Sequence, residues 1–442
     1  MRKNISELRP IAKGDKKTIR GWVMYDWANS VYQLTIGSTI FPIYYNAVTK
    51  HGNDFTVDFF GLKAPNTVLY AWSIALSYFV IAVFSPFFSS IADFTGRRKS
   101  FMKVFTWIGA LSCGMLFFFN GNRVELGLIA FTLATLGYGG SLVFYNSFLP
   151  VIAVPEEQDR ISARGYSMGY LGGVILLLIN LVFVLFPKVF GITDDTFAPR
   201  LAFLTVFIWW IGFSQMTFLR LPKYTFGKRV KGQDPLFYGY IELRNVFNQV
   251  RKMRKLKIYL VGFFFMTMGV LTVMSMAATY GTKQLHLKDD ILIATILLIQ
   301  LIGMFGAWSF ARISEKIGNF KALILSIFIW ILVILAVYFV TDAAGFIIVA
   351  CVVGVVMGGT QSLARSTYSK MLPETRNHTS FFSFYDVMEK LAMVGGTFSF
   401  GIIEAITGSM RYSVLAITTF FIIGLFFLLL LLKDQQTVES PA

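Results

Sequence analysis

Ser89-Ser90-Ile91-Ala92-Asp93-Phe94-Thr95-Gly96-Arg97-Arg98-Lys99 closes one long apolar run and opens the next. The flanking runs, 66–92 and 100–119, each approach or exceed the roughly 20 residues that carry a helix across the hydrocarbon core. Gly96 suits a tight turn, and a carboxylate such as Asp93 at a helix end can accept bonds from the N-terminus of a neighbouring helix. The stretch therefore reads as helix, short basic turn, helix. Its echo lies 222 residues on, in Ala311-Arg312-Ile313-Ser314-Glu315-Lys316-Ile317-Gly318-Asn319-Phe320-Lys321, with acid, glycine and terminal lysine at matching positions. Two further matches fall at an offset of 223: Tyr145-Asn146-Ser147-Phe148-Leu149-Pro150 with Tyr368-Ser369-Lys370-Met371-Leu372-Pro373, and Gly172-Gly173 with Gly395-Gly396. Agreement at nearly one offset reads as a duplicated six-helix unit, the arrangement in which two halves rock about a central site.

Outward from that stretch the rest of the chain has the same character. Of 442 residues 55% are hydrophobic and 14% charged, against roughly a quarter charged in a soluble domain. The mean hydropathy is +0.63. No globular core of this size hides that much apolar surface, so lipid must take it. The spans read as 21–46, 66–92, 100–119, 125–150, 162–187, 200–220, 257–282, 289–312, 320–340, 343–370, 379–407 and 411–432. The expected fold is all-α integral membrane: twelve transmembrane helices as two six-helix pseudo-repeats. Its parts are an N-terminal arm (1–20), a first bundle (21–220), a linker (221–256), a second bundle (257–432) and a tail (433–442).

A net charge of +16 can suggest nucleic acid, but its distribution argues otherwise. The arm, alternate loops and tail hold 31 of the 40 Lys and Arg, which is the positive-inside pattern and places both termini in the cytoplasm. The basic N-terminus is not a signal peptide: its apolar run is long, carries Tyr25, Asp26, Asn29 and Gln33, and lacks a small-residue cleavage site. Cys113 and Cys351 sit apart in apolar runs and imply no disulfide framework. His51, His286 and His378 are scattered, so no metal is expected. Neither a phosphate-binding loop nor a nucleophile elbow appears, which excludes ATP hydrolysis and leaves no catalytic residue or cofactor. In the linker, Asp234-Pro235 is a cap with a first-turn proline. Leu236, Phe237, Tyr240, Leu243, Phe247 and Val250 follow at helical spacing, and Arg244, Arg251, Lys252, Arg254, Lys255 and Lys257 load the later turns. This predicts an amphipathic helix on the membrane surface, or one that docks a partner.

Ionisable residues inside spans mark candidate sites, because a charge at mid-bilayer costs about 2.5–3.5 kcal/mol on insertion scales. On helix 1, Asp26, Asn29, Ser30 and Gln33 share a stripe beside Tyr25. Cavity function and structural anchoring are both open for Asp26. On helix 11, Asp386 and Lys390 can pair at i, i+4, which leaves Glu389 as the uncompensated carboxylate and a proton carrier. The opposing reading puts this cluster near the cytoplasmic interface, where water reaches it. Tyr145, Asn146, Arg164 and Arg365 complete the candidate substrate or proton pathway, although snorkelling also explains the two arginines. Gly165, Gly169 and Gly173 have the spacing of close helix packing. Asp93, Gly96, Arg97 and Arg98 form the candidate gate, with Lys99 holding the cytoplasmic side beside them.

The Asp93–Lys99 loop resembles the major facilitator signature between helices 2 and 3, with Ser89 where that signature begins with Gly. Tyr25-Asp26-Trp27-Ala28-Asn29-Ser30, Tyr145 to Pro150, Arg164-Gly165-Tyr166 through Gly173, Gly358 to Ser366, and Phe381-Phe382-Ser383-Phe384-Tyr385 with Lys390 together resemble the UMF1 group of the major facilitator superfamily. That group is similar to the fungal autophagy-related vacuolar effluxers. The resemblance implies the twelve-helix fold and a transporter rather than an enzyme; amino-acid efflux is implied by the fungal relatives alone. The chain departs from the pattern at Met268, where an Asp is frequent, at Asp386 in place of Asn, and at Glu389 in place of a small residue.

The expected function is secondary transport of a small organic solute, an amino acid or peptide-like molecule, by alternating access, with proton coupling or facilitated movement. The expected setting is a bacterial inner membrane, as a monomer among lipid and without nucleic acid. Transport of an amphiphile, or a non-transporting sensor or scaffold built on the linker, are the competing readings.

Overall fold

The computed structural model describes residues 13–50, 56–194, 196–223 and 234–439. Arg2, Lys3 and Arg9 of the expected arm, His51, and residues 224–233 of the expected linker lie outside the described residues. The first traverse is α1 (Lys16–Val31), a π-helical segment (Tyr32–Gly37) and α2 (Ile40–Val48). Then come α3 (Asn66–Thr95), α4 (Arg98–Leu116), α5 (Val124–Asn146), the single turn α6 (Leu149–Ile152), α7 (Pro155–Leu185) and α8 (Phe197–Arg220). After α9 (Pro235–Lys252) the second set is α10 (Arg254–Leu285), α11 (Asp289–Ile317), α12 (Asn319–Phe339), α13 (Ala343–Met371), α14 (His378–Thr407) and α15 (Met410–Glu439). Among the described residues ten helices are long and apolar enough to cross a membrane. The broken first segment and α4, with Arg98, Lys99 and Lys103 in its first two turns, fill the other two places.

Two local features depart from the sequence reading. The first traverse is not one helix: it widens to π geometry at Tyr32 and breaks at Ser38 and Thr39, where the Ser38 hydroxyl donates to the Gln33 carbonyl at 2.9 Å. The chain is also not wholly α. Thr56–Phe59 (β1) and Leu62–Pro65 (β2) pair antiparallel between α2 and α3. Phe60 and Gly61 both have positive φ, 51° and 86°, the two-residue turn that matches strand twist. Asp58 Oδ1 fixes it by accepting from the Gly61 amide at 2.6 Å.

Helix ends follow from local chemistry. Asp15 caps α1 by accepting from the Thr18 amide at 2.9 Å and hydroxyl at 2.7 Å, and these bonds hold its carboxyl below the usual range. Asp234 caps α9 through the Leu236 amide at 3.0 Å. Gly96 and Gly318, the repeated glycines, both turn the chain with positive φ, 67° and 85°, a conformation that β-carbons oppose.

The duplication is visible in packing. The α7 glycines lie against α1: a β-carbon at Gly172 would come within 2.8 Å of the Trp27 carbonyl. Their repeats on α14 lie against α10, where a β-carbon at Gly396 would come within 2.0 Å of Thr272 Oγ1. Each half also keeps its own apolar core. Phe41, Phe119, Phe131 and Trp210 centre one cluster in the first half, and Trp22, Tyr25, Tyr145 and Phe218 another. Tyr259, Trp330, Tyr368 and Phe421 centre that of the second half. Between the halves the buried apolar cluster is small: Ala163, Ala307 and Ala311, with Tyr166 against them. Further apolar contact across the halves comes from Tyr170 of α7 against the second core and from Ile293, Ile296 and Leu297 of α11 against the first.

Candidate functional site

Polar contacts between the halves gather toward one end of the bundle, where the basic turns lie. This is the basic end. Two clasps occupy its rim. In the first, Asp93 at the end of α3 receives the Ser380 amide at 2.7 Å, the Ser380 hydroxyl at 2.8 Å and the Thr379 amide at 3.4 Å from the first turn of α14. Anions are favoured there because helix N-terminal amides carry no intrahelical partner. Arg98 Nε closes the other side of the carboxylate at 2.8 Å, and its Nη2 donates to the Arg376 carbonyl. Arg98 is thus buried, whereas its neighbour Arg97 is exposed. Lys99 is bound to the Leu221 carbonyl at 2.6 Å.

The second clasp escaped sequence reading. Asp159, one turn into α7, accepts from Ser314 Oγ at 2.8 Å, Asn319 Nδ2 at 2.8 Å and Lys370 Nζ at 2.7 Å. Glu156-Glu157-Gln158-Asp159-Arg160 looks like an ordinary solvated helix start, and the partners lie 155–211 residues away. Asp159→Asn should weaken closure by about 1–2 kcal/mol, since one charge-assisted bond to a partly exposed lysine is lost. The check is thiol-reagent labelling of a cysteine placed at buried Ala163, which should rise in the variant.

Deeper in, Arg365 of α13 reaches across to the first half. Its Nε donates to Ser162 Oγ at 2.9 Å, Nη2 to the Ser162 carbonyl at 2.9 Å, and Nη1 to Asn146 Oδ1 at 3.3 Å. Both terminal nitrogens meet Asp26 Oδ2 at 3.3 Å. The guanidinium lies 4.2 Å from the Tyr166 ring centroid and 4.8 Å from that of Trp22. Tyr145 stacks on Trp22 at 4.5 Å and donates to Asp26 Oδ2 at 2.7 Å. The α1–α7 approach makes room for the pair: a β-carbon at Gly165 would fall 2.2 Å from Asp26 Oδ2. Arg365 does not snorkel, being 2% exposed. Tyr25, Asn29, Gln33 and Arg164 do not join it. Tyr25 points into the first bundle and shares a 2.7 Å bond with Thr106. Asn29 is buried with its Nδ2 unpartnered. Gln33 lies exposed beyond the π transition, and Arg164 is on an exposed face.

The third group is on α14. Lys390 Nζ lies 3.2 Å from Asp386 Oδ1 and 3.0 Å from Glu389 Oε1. Ser85 of α3 reaches Asp386 Oδ2 at 3.5 Å, and the Tyr78 ring centroid is 5.9 Å from the ammonium. Two expectations change here. Glu389 is not uncompensated: one lysine serves two carboxylates, leaving the group one negative charge in excess. Nor is it interfacial, because Lys390 lies twelve residues into α14, roughly 18 Å along a helix that crosses a ~30 Å core. Glu389 is the accessible member, with 31% side-chain exposure against 6% for Asp386. Tyr170 of α7 donates to Gln361 Oε1 of α13 at 2.6 Å, another contact across the halves.

These contacts seal the basic end and span both halves, so a solute reaching the α14 group from that end must break them. The chain as a whole is similar to known proteins. The sequence profile of the family described as "Vacuole effluxer Atg22 like" matches residues 14–440. The MFS-type transporter YxiO of Bacillus subtilis is 27% identical over 428 residues, covering 96% of this chain and 97% of that protein. Autophagy-related protein 22 of Saccharomyces cerevisiae is 24% identical over 478 residues, covering 91% and 89%. Among solved structures, the transporter FucP in its outward conformation matches with a TM-score of 0.68 at 13% identity, covering 94% and 98%. A bacterial homologue of the iron transporter ferroportin in its outward-facing state matches with 0.66 at 12%, also covering 94% and 98%. The fold is the all-α major facilitator fold.

Proposed function

The chain belongs to the Atg22-like vacuole effluxer family and is a multi-pass secondary transporter of the major facilitator kind, and from that premise we propose that it exports small organic solutes, amino acids or short peptides first, coupled to protons. The basic end faces the cytoplasm of a bacterial inner membrane, and the working unit is a monomer. In this reading Asp93, Asp159 and the Asp26–Arg365 pair are the inner gate. Transport alternates as the halves rock about the α14 group.

The observation that carries proton coupling is the charge imbalance on α14. Two carboxylates share one lysine at mid-depth, and the more exposed acid, Glu389, is placed to exchange protons with water. Asp386 stays behind it, held by Lys390 and Ser85. The test is reconstitution in liposomes, with amino acids and short peptides screened with and without a pH gradient. Glu389→Gln should remove gradient-driven movement and leave solute exchange intact. Equal loss of both would refute the assignment to Glu389, and no flux of any such solute would refute the substrate class.

One observation favours an amphiphile instead. A cavity of about 270 Å³ lined by Val80, Phe84, Phe88, Phe105 and Phe144 adjoins Ser85, whose hydroxyl meets Asp386. An apolar tail there would sit beside the charged group. Competition of hydrophobic amines with solute flux separates the two substrates.

A further inference from the structure

Helix α9 crosses the seam that the first clasp closes. On the first half, Tyr238 stacks on Phe94 of α3 with centroids 5.4 Å apart and planes 8° from parallel. Gly239 sits against Ile91, whose side chain would be 2.8 Å from a β-carbon there. On the second half, Glu242 accepts from the Asn377 side chain just before α14. Val246 and Val250 are buried in the second core with Leu256 and Tyr259. One helix therefore grips α3 with its first turn and the second half with the rest. These are the elements that Asp93 and Ser380 pin together, and both must part if the basic end opens.

The other side of α9 is largely exposed, although Phe247 lies against Phe384 of α14 with ring centroids 6.2 Å apart. Phe237, Tyr240, Arg244, Phe247 and Arg251 follow each other at spacings of three and four, so they form one stripe. The three aromatic residues are 61%, 58% and 52% exposed, with Leu236 beside them at 56%; both arginines are exposed. The stripe holds no acid, and exposed Lys252, Lys255 and Lys257 continue from it. Aromatic rings interleaved with arginines are costly in water, yet they match the boundary between acyl chains and anionic headgroups. Position agrees, since α9 packs beside the ends of α3 and α14, at the level where a membrane surface meets the bundle.

We propose that the anionic lipid surface of the inner leaflet binds this stripe, holds α9 across the α3–α14 seam, and so favours the state closed at the basic end. Aromatic rings settle at headgroup depth and the guanidiniums take lipid phosphates. The bilayer acts on the conformational equilibrium because it binds α9 best where both halves are gripped. The inference rests on the reading of rocking halves.

The experiment uses the full chain in nanodiscs of phosphatidylcholine, or of phosphatidylcholine mixed with phosphatidylglycerol. Spin labels at Arg97→Cys and Glu374→Cys, in a Cys113→Ser, Cys351→Ser background, report the distance across the basic end. Phosphatidylglycerol should raise the ratio of short to long distances by about tenfold, and added salt should reverse the gain. Arg244→Gln with Arg251→Gln should lose the response at an unchanged melting temperature in phosphatidylcholine. Phe237→Ser with Tyr240→Ser, which keeps the charges, should weaken it. Two distance populations with a ratio indifferent to lipid charge would overturn the lipid proposal and leave the stripe to a protein partner. A single distance in every lipid would instead overturn the rocking reading itself.

Discussion

Asp26→Asn should unlock the basic end and abolish net transport while the protein remains folded. The variant keeps the shape of the side chain and removes its charge. Arg365 then stays buried among Ser162, Asn146 and Trp22 with no anion in contact. Breaking a buried ion pair by removing one partner costs about 3–5 kcal/mol. The loss falls on the closed state, because opening brings the guanidinium to water. The open population should grow on the order of a hundredfold or more. Asp26→Asn with Arg365→Gln removes both charges and should recover much of the closure without recovering transport. Arg365→Lys should behave like the single loss, since an ammonium cannot bind Ser162 and Asn146 while lying flat on Tyr166. Thiol labelling at Ala163→Cys reads closure, and solute flux reads transport.

Lys390→Met is the second large effect. It removes the one cation serving Asp386 and Glu389, which are neighbours at i, i+3 on α14. Two carboxylates at mid-bilayer with no counter-charge should lower stability by about 3–5 kcal/mol. Transport should vanish. Adding Asp386→Asn to Lys390→Met removes the buried acid and should restore the melting temperature, but not flux, because Glu389 then lacks the lysine that sets its charge state. Full activity in Lys390→Met would remove the α14 group from the mechanism.

The features legible in the sequence were those set by local or global pattern. The Asp386–Lys390 pair is one helical turn, so spacing alone predicts it. Glu389 was misread for the same reason: periodicity sends adjacent residues to different faces, but a glutamate and a lysine are long enough to meet across that angle. The helix 1 stripe assumed straight α geometry. The π segment at Tyr32 breaks that assumption and separates Gln33 from Asp26. Arg164 and Arg365 look alike as basic residues at helix ends; only tertiary packing turns one outward and buries the other. Asp159 carries no local signal, because its three partners come from the distant half. The repeat was legible since each half must solve the same turn and packing problems, with Gly96 and Gly318 at one and Gly173 and Gly396 at the other.

The claim that the halves alternate about the α14 group is tested most directly by paired distance measurements at both ends. Labels at Arg97 and Glu374 span the basic end, and labels at Asn122 and Thr341, both exposed, span the opposite end. The unaltered gate should give predominantly short distances at the basic end. Asp26→Asn should lengthen them while the Asn122–Thr341 distance shortens. Unchanged distributions at both ends, or both pairs lengthening together, would contradict alternating access through the Asp26–Arg365 gate.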